Sequence, residues 1–134
     1  NMATTTATLT ISSADLTSNP LSITTSSTLY KAGTTIGLEQ TTGLAKKVYA
    51  AAQSNTTLIS AGDYADDTHS RIYIRNSGSS TTDFFTVTIA SGNSVIGRLY
   101  GGDFLFIPYE GEEDIDISSS STNMELEFMV INEG

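Results

Sequence analysis

The chain has no cysteine, a single histidine and only six lysine or arginine residues among its 134 residues. Without cysteine, a disulfide framework, thiolate zinc sites and a cysteine nucleophile are excluded. One histidine does not supply the histidine cluster that a cupin-type enzyme needs for its metal. No run approaches the roughly 20 apolar residues of a membrane helix, and no basic segment followed by an apolar stretch indicates a secretory signal. We therefore expect one soluble domain of ordinary size.

Basic residues are scarce and unevenly placed. The net charge of the chain is −9, with residues 1–62 summing to +1 and residues 63–134 summing to −10. A nucleic-acid binder needs a cationic footprint to neutralise phosphates, so the charge predicts no nucleic-acid partner. Anionic membrane surfaces are disfavoured for the same reason. A basic or neutral protein surface is the partner that this charge favours.

Apolar and polar residues alternate with period two from residue 71 almost to the end of the chain. The clearest segments are 71–76, 84–89 and 124–130. This period is typical of half-buried β-strands, and turn signals recur every 8–12 residues. We predict nine or ten short strands, no long helix, and an all-β antiparallel sandwich of jelly-roll type. Residues 45–53 are compatible with a helical turn or a strand, and we favour the strand.

Two local patterns lead to more specific expectations. Residues 104–107 are apolar on both faces, which predicts a strand at the centre of the core that ends at Pro108. Asp114 and Asp116 alternate with Ile115 and Ile117, so we expect the two carboxylates on the outer, water-facing side of their strand.

Residues 1–30 are half serine and threonine, with isolated aliphatic residues between them. Such a segment has β-propensity but few large apolar groups to bury. We predict an extended arm or edge strands over 1–30 that gain order by pairing with another surface, followed by a β-sandwich domain over 31–134. A partly disordered tail is the alternative for the first segment.

His69 is the only histidine of the chain. Ser70 and Asp67 are close to His69 in sequence, but such adjacency does not build a catalytic triad. We therefore predict that the chain is not an enzyme and has no catalytic residue.

Two acidic clusters are candidates for a metal site. Asp63, Asp66 and Asp67 have carboxylates suited to calcium, but their spacing is not that of an EF-hand loop, so a solvated turn is the simpler interpretation. The cluster at 110–116 is larger, yet like charges packed this closely normally stay in water. We predict no metal ligand, no cofactor-binding residue and no cofactor.

Three tyrosines suggest another kind of site. Tyr73, Tyr100 and Tyr109 fall in or beside predicted strands and could form an aromatic platform for a sugar. Tyrosine is also common in ordinary strands, so this pattern alone favours neither interpretation.

Several stretches together resemble the small virion structural proteins of tailed bacteriophages, especially the capsid cement or decoration proteins of cyanobacterial and marine phages. They are Thr28–Thr35, Thr41–Ala45, Arg71–Asn76, Phe84–Ile89, Ile96–Asp103 and Met124–Ile131. The resemblance covers most of residues 28–132 and rests on structural motifs, so it transfers no functional residue.

The resemblance implies a protein on the outer surface of an icosahedral capsid, commonly a homotrimer, that binds the major capsid protein and bridges neighbouring subunits. An acidic chain that avoids DNA is compatible with that location. Two other readings stay open: a tail, neck or fibre component of the virion, and a carbohydrate-binding β-sandwich.

Overall fold

The structure, a computed structural model, describes residues 4–64 and 68–133, and within these ranges the chain is all-β. Eleven strands are present, all paired antiparallel, with no helix in the described residues. The strands in chain order are β1 (Thr6–Ser13), β2 (Leu21–Thr28), β3 (Gln40–Thr41), β4 (Ala45–Tyr49), β5 (Thr56–Ile59), β6 (Ser70–Asn76), β7 (Phe84–Ile89), β8 (Ser94–Tyr100), β9 (Phe104–Tyr109), β10 (Ile115–Ser119) and β11 (Met124–Asn132). The all-β prediction is confirmed, and residues 45–49, where a helical turn was the alternative, form a strand.

The chain divides into two compact units, residues 1–38 and residues 39–134. The first contains a hairpin of β1 and β2, in which Thr6 pairs with Thr28 and Ser13 pairs with Leu21. We call strands β1 and β2 the hairpin and residues 39–134 the body. Residues 31–38 group with the hairpin by their contacts, while the predicted division at residue 30 stays a prediction.

The body contains two antiparallel sheets. The four-stranded sheet has the order β5-β10-β7-β8. In the five-stranded sheet β11 is flanked by β6 and then β9 on one side, and β3 and β4 pair with successive parts of its other edge. From β4 onward the chain changes sheet at every connection except the one between β7 and β8.

One hydrophobic core is formed by residues of both sheets. The five-stranded sheet contributes Ile72, Ile74, Leu126 and Val130, and the four-stranded sheet contributes Phe85, Val87, Leu99, Ile115 and Ile117. Phe85 is fully buried and meets the ring of Tyr49 edge-on, with 6.2 Å between the ring centroids. Removing each such side chain from water stabilises the folded state by roughly 1.5–3 kcal/mol. The apolar residues of the predicted alternation form the inward faces of these strands.

Asn76 joins the two sheets by hydrogen bonds. The side-chain Nδ2 of Asn76, at the end of β6, donates to the carbonyl oxygen of Leu99 in β8 at 2.8 Å. Its Oδ1 accepts from the backbone N–H of Gly78 at 3.0 Å. Because Asn76 is only 3 % exposed, both bonds satisfy groups that water does not reach.

Strand β9 differs from the sequence-based expectation. It pairs with β6 alone and forms one edge of the five-stranded sheet, with Phe104 55 % and Phe106 37 % exposed. Pro108 lies inside the strand rather than at its end, which is possible because an edge strand leaves backbone N–H groups unused. The prediction of a central strand was wrong, because an apolar outer face was taken for a second buried face.

Candidate interaction surfaces

The hairpin has two chemically different faces. Its apolar side chains lie on one face, because residues of equal parity on β1 pair with residues of equal parity on β2. We call this set the aliphatic face, and it consists of Ala7, Leu9, Ile11, Leu21 and Ile23. The opposite face carries only serine and threonine. Leu9, Ile11 and Ile23 are 43 %, 45 % and 46 % exposed, so the aliphatic face is half open to solvent.

The edges of the hairpin lack the features that normally prevent further strand pairing. Each strand pairs only with the other among the described residues, and neither contains a charged residue, a proline or a register shift. Lysine, proline, bulges and short length are the usual means by which edge strands avoid association. The hairpin therefore presents two open edges of eight residues each.

Every edge of the body, in contrast, has at least one such feature. Strand β4 carries Lys46 and Lys47, and β9 contains Pro108. Strand β8 carries Arg98 and a register shift against β7, and β5 is four residues long with a register shift against β10. The body is consequently protected against sheet extension where the hairpin is not.

Residues 29–38 close the first unit behind the hairpin. The backbone N–H of Leu29 donates to the carbonyl oxygen of Thr5, and that of Leu38 donates to the carbonyl oxygen of Leu29. Leu29 and Leu38 are 1 % and 2 % exposed, in contrast to every residue of β1 and β2. The unit is therefore buried at its base and open along its strands.

The outer face of the five-stranded sheet combines aromatic and charged groups. Phe104 and Phe106 lie in register with Arg75 and Tyr73 on β6. The Tyr73 hydroxyl donates to Oε1 of Glu127 at 3.0 Å, and Nη1 of Arg75 lies 3.7 Å from the same oxygen. Burial raises the pKa of Tyr73 first, and its hydrogen bond to Glu127 raises it further. Aromatic residues and arginine in this density are typical of interface centres.

An acidic rim surrounds an apolar depression at the β9 side of the body. A cavity of about 210 Å³ is lined by Ile96, Ile107 and Pro108 and bordered by Glu110, Glu112 and Glu113. All three glutamates are exposed, as expected for the cluster at 110–116. Within that cluster, however, Asp114 is bound: its Oδ1 accepts from the backbone N–H of Ala61 at 2.6 Å.

Asp116 contradicts the predicted water-facing position. It is 2 % exposed, and its Oδ1 has no hydrogen-bond partner among the described residues. Its strand, β10, is central in the four-stranded sheet, with β5 on one side and β7 on the other. The alternation with Ile115 and Ile117 identified the face correctly, but it carried no information on what covers that face.

The structure describes the other candidate residues, in the segment before β6, only in part. Asp63 is exposed, while Asp66 and Asp67 lie outside the described residues. The Ser70 hydroxyl lies 3.1 Å from that of Thr68, and Ser70 is buried. Within residues 4–64 and 68–133, no group of three acidic, histidine or cysteine side chains could hold a metal ion.

The three tyrosines of the suggested sugar platform are dispersed. Tyr73 lies on the five-stranded sheet, whereas Tyr100 lies on the four-stranded sheet beside Phe84, with 5.1 Å between the centroids. Tyr109 is 8 % exposed and donates its hydroxyl hydrogen to the carbonyl oxygen of Glu113. The three rings therefore form no common platform.

Sequence reasoning missed the exposed phenylalanines of β9. Pro108 was the available signal for an edge strand. Pairing of Ile11 with Ile23 was not readable, because it depends on the register set by residues 14–20.

Three comparisons with known proteins, by family model, by curated sequence and by solved structure, find no match for the chain. The resemblance to phage capsid proteins therefore stays a prediction. No helix in the described part of the chain is long and apolar enough to cross a membrane.

Proposed function

We propose that this chain is a structural virion protein, a capsid cement or decoration protein. In this proposal it binds the major capsid protein at the outer capsid surface and bridges neighbouring subunits, as a homotrimer. The observation that carries the proposal is the hairpin, which is uncharged in both strands and open at both edges, whereas every edge of the body is protected. Open edges of this kind are used for strand addition to another protein.

The division of charge supports the same role. Residues 39–134 contain fourteen acidic and five basic residues, whereas residues 1–38 contain only Asp15 and Lys31. An acidic body is repelled by the packaged DNA and by other acidic surfaces. The neutral hairpin can approach a protein surface of either sign, so it is the part best suited to attachment.

The mechanism is mechanical. Many weak contacts, repeated by the symmetry of the shell, resist the outward pressure of packaged DNA. Each hairpin would add backbone hydrogen bonds to a neighbouring subunit without a large compact interface.

We also propose that the body is a jelly-roll β-sandwich. Support comes from the strand orders β4-β11-β6-β9 and β5-β10-β7-β8, which place eight strands in two sheets over one core. Two four-stranded antiparallel sheets connected in this way are typical of jelly rolls, which are frequent in capsid proteins.

Deletion of residues 2–27 tests the attachment role. We expect the truncated chain to lose co-sedimentation with purified capsids, while the circular dichroism of the body and its unfolding midpoint stay unchanged. Undiminished binding to capsids by the truncated chain would contradict the proposal. The substitution Ser79→Ala, in an exposed turn of the body, is the control and should bind normally.

Counting the copies of the chain per purified virion by quantitative mass spectrometry separates the virion roles. Hundreds of copies, near the number of major capsid subunits, are expected for a cement protein. A few to a dozen copies would indicate a tail, neck or fibre component instead.

A carbohydrate-binding module is the second candidate, and one cavity favours it. A polar cavity of about 320 Å³ lies near the end of β6, and its lining residues include Asn76, Ser80, Asp83, Asn123 and Glu125. Amide and carboxylate groups of this kind hydrogen-bond sugar hydroxyls. A glycan array decides the point: binding that is lost in Asp83→Ala would favour this function over the structural one.

A further inference from the structure

The aliphatic face of the hairpin, formed by Ala7, Leu9, Ile11, Leu21 and Ile23, is a contact surface that lacks its partner. A single two-stranded hairpin is marginally stable in water, because only one side of each strand is paired and no second layer covers its apolar face. In the hairpin no residue of either strand is buried. The arrangement is therefore half of a two-layer structure.

We propose that the second layer is the same hairpin of a second copy of this chain, so that two copies associate through their aliphatic faces. Ile11 and Ile23 are directly opposite each other in the register, and Leu9 and Leu21 flank them. A two-fold axis through this pair would place each isoleucine pair against its counterpart, with the two sheets about 10 Å apart.

Charge favours a second hairpin, rather than the body of another copy, as the partner of the aliphatic face. Contact between two bodies brings together two surfaces that each carry a net charge of −9 over residues 39–134. Contact between two hairpins brings together strands without any ionisable side chain. Compared with contact between two bodies, the hairpin pairing thus buries apolar area without repulsion between like charges.

The area of the aliphatic face indicates how strong the pairing of two copies is expected to be. Strands of eight residues are about 26 Å long, and a two-stranded face about 10 Å wide buries roughly 500 Å² over both copies. Stable complexes bury about 1,200 Å² or more. We therefore expect a weak pairing that depends on protein concentration and strengthens when copies are held close together.

This self-association does not depend on attachment to a capsid, and its two-fold contact is separate from the contacts of the proposed homotrimer. Self-association uses the aliphatic face, whereas strand addition to another protein uses the open edges. Its experiment is therefore performed on the purified full-length chain without capsids, so that its failure and a failure of capsid binding are separate results.

Cross-linking of single-cysteine variants tests the inference directly, because the natural chain contains no cysteine. Ile11→Cys places a thiol on the aliphatic face, and Thr10→Cys places one on the opposite face of the same strand. Both are treated with a short bis-maleimide that spans the roughly 10 Å between packed sheets. We expect at least a fivefold higher yield of covalent dimer for Ile11→Cys. Equal yields, after correction for thiol reactivity, would overturn the proposal.

A second measurement does not depend on a thiol. The double variant Leu9→Thr and Ile23→Thr keeps residues with high strand propensity while removing apolar area. Sedimentation at increasing concentration should show association of the natural chain and loss of at least two-thirds of it in this variant. The opposite-face variant Thr10→Ser and Thr24→Ser should associate as the natural chain does. Equal association of all three chains would contradict the proposed face.

Discussion

The strands of the hairpin and of the body pair in the same antiparallel way. Only in the body does a second sheet cover the apolar faces of the strands. Strands β6, β7 and β10 each contribute three or more buried residues, whereas β1 and β2 contribute none. Backbone hydrogen bonds are present in both regions. Because the net contribution of such bonds is modest, we expect the covered apolar face to make the body more stable than the hairpin. A strand pair without a second layer is therefore a candidate for completion by another molecule.

The largest expected contrast is between Phe85 in the core and Ile11 in the hairpin. Phe85→Ala should lower the free energy of unfolding by about 3–5 kcal/mol, since it leaves a cavity at a fully buried site. Ile11→Ala should change that free energy by no more than about 0.5 kcal/mol. Urea unfolding followed by circular dichroism measures both. A similar loss in the two variants would mean that the hairpin is part of the core.

Two glycines give the next contrast. A Cβ on Gly101 would lie 2.6 Å from the carbonyl oxygen of Ser80. Gly101→Ala therefore pushes the two backbone segments apart and should lower the free energy of unfolding by about 1–3 kcal/mol. Gly33 has open space around it but a φ of +68°, so Gly33→Ala adds only local strain of about 1 kcal/mol. We expect thermal unfolding of the body to shift for Gly101→Ala alone. A shift of equal size for both variants would mean that residues 31–38 unfold together with the body.

Asn76 tests how the two sheets of the body are held together. Asn76→Ala removes both of these hydrogen bonds from a buried site and should lower the free energy of unfolding by about 1–3 kcal/mol. Ser79→Ala, in the exposed turn nearby, is the control and should be close to neutral. If the two variants unfold at the same urea concentration, the Asn76 bonds do not stabilise the body.

The smallest expected effect is a dependence on alkaline pH that is confined to the body. The pKa of Tyr73 and that of Tyr49 are both raised by burial, whereas the hairpin strands contain no titratable side chain. A raised pKa means that the folded state holds the proton more tightly. The resulting stability is complete below pH about 10 and is lost as the pH rises through the folded pKa.

Tyr73→Phe should reduce that loss, because it removes the titrating hydroxyl that donates to Glu127. Unfolding by urea at pH 8, 10 and 11 measures the effect, with Tyr30→Phe, outside the body, as the control. An unchanged pH dependence in Tyr73→Phe would show that Tyr73 does not contribute to it.

Strand positions in the body were predictable, because local alternation determines them. The segments with the clearest alternation, 71–76, 84–89 and 124–130, lie within β6, β7 and β11. Their faces follow from the same alternation. The pairing partners do not, because sheet order depends on contacts between residues far apart in the chain.

The errors share a physical cause. The pattern of residues 104–107 shows which side chains are apolar, but not whether a further strand covers them. For Asp116 the reverse holds, since a polar side chain that was expected in water is buried. Whether an apolar face stays open depends on what is absent from the neighbouring layer, and no local pattern encodes that.

Amide hydrogen exchange followed by mass spectrometry at several protein concentrations tests the central claim most directly. The account predicts that amides of β6, β7 and β11 are strongly protected at every concentration. Amides of β1 and β2 should exchange far faster in dilute protein and become more protected as the concentration rises. Protection of the hairpin equal to that of the body at the lowest concentration would contradict the claim that the hairpin needs a partner to complete it.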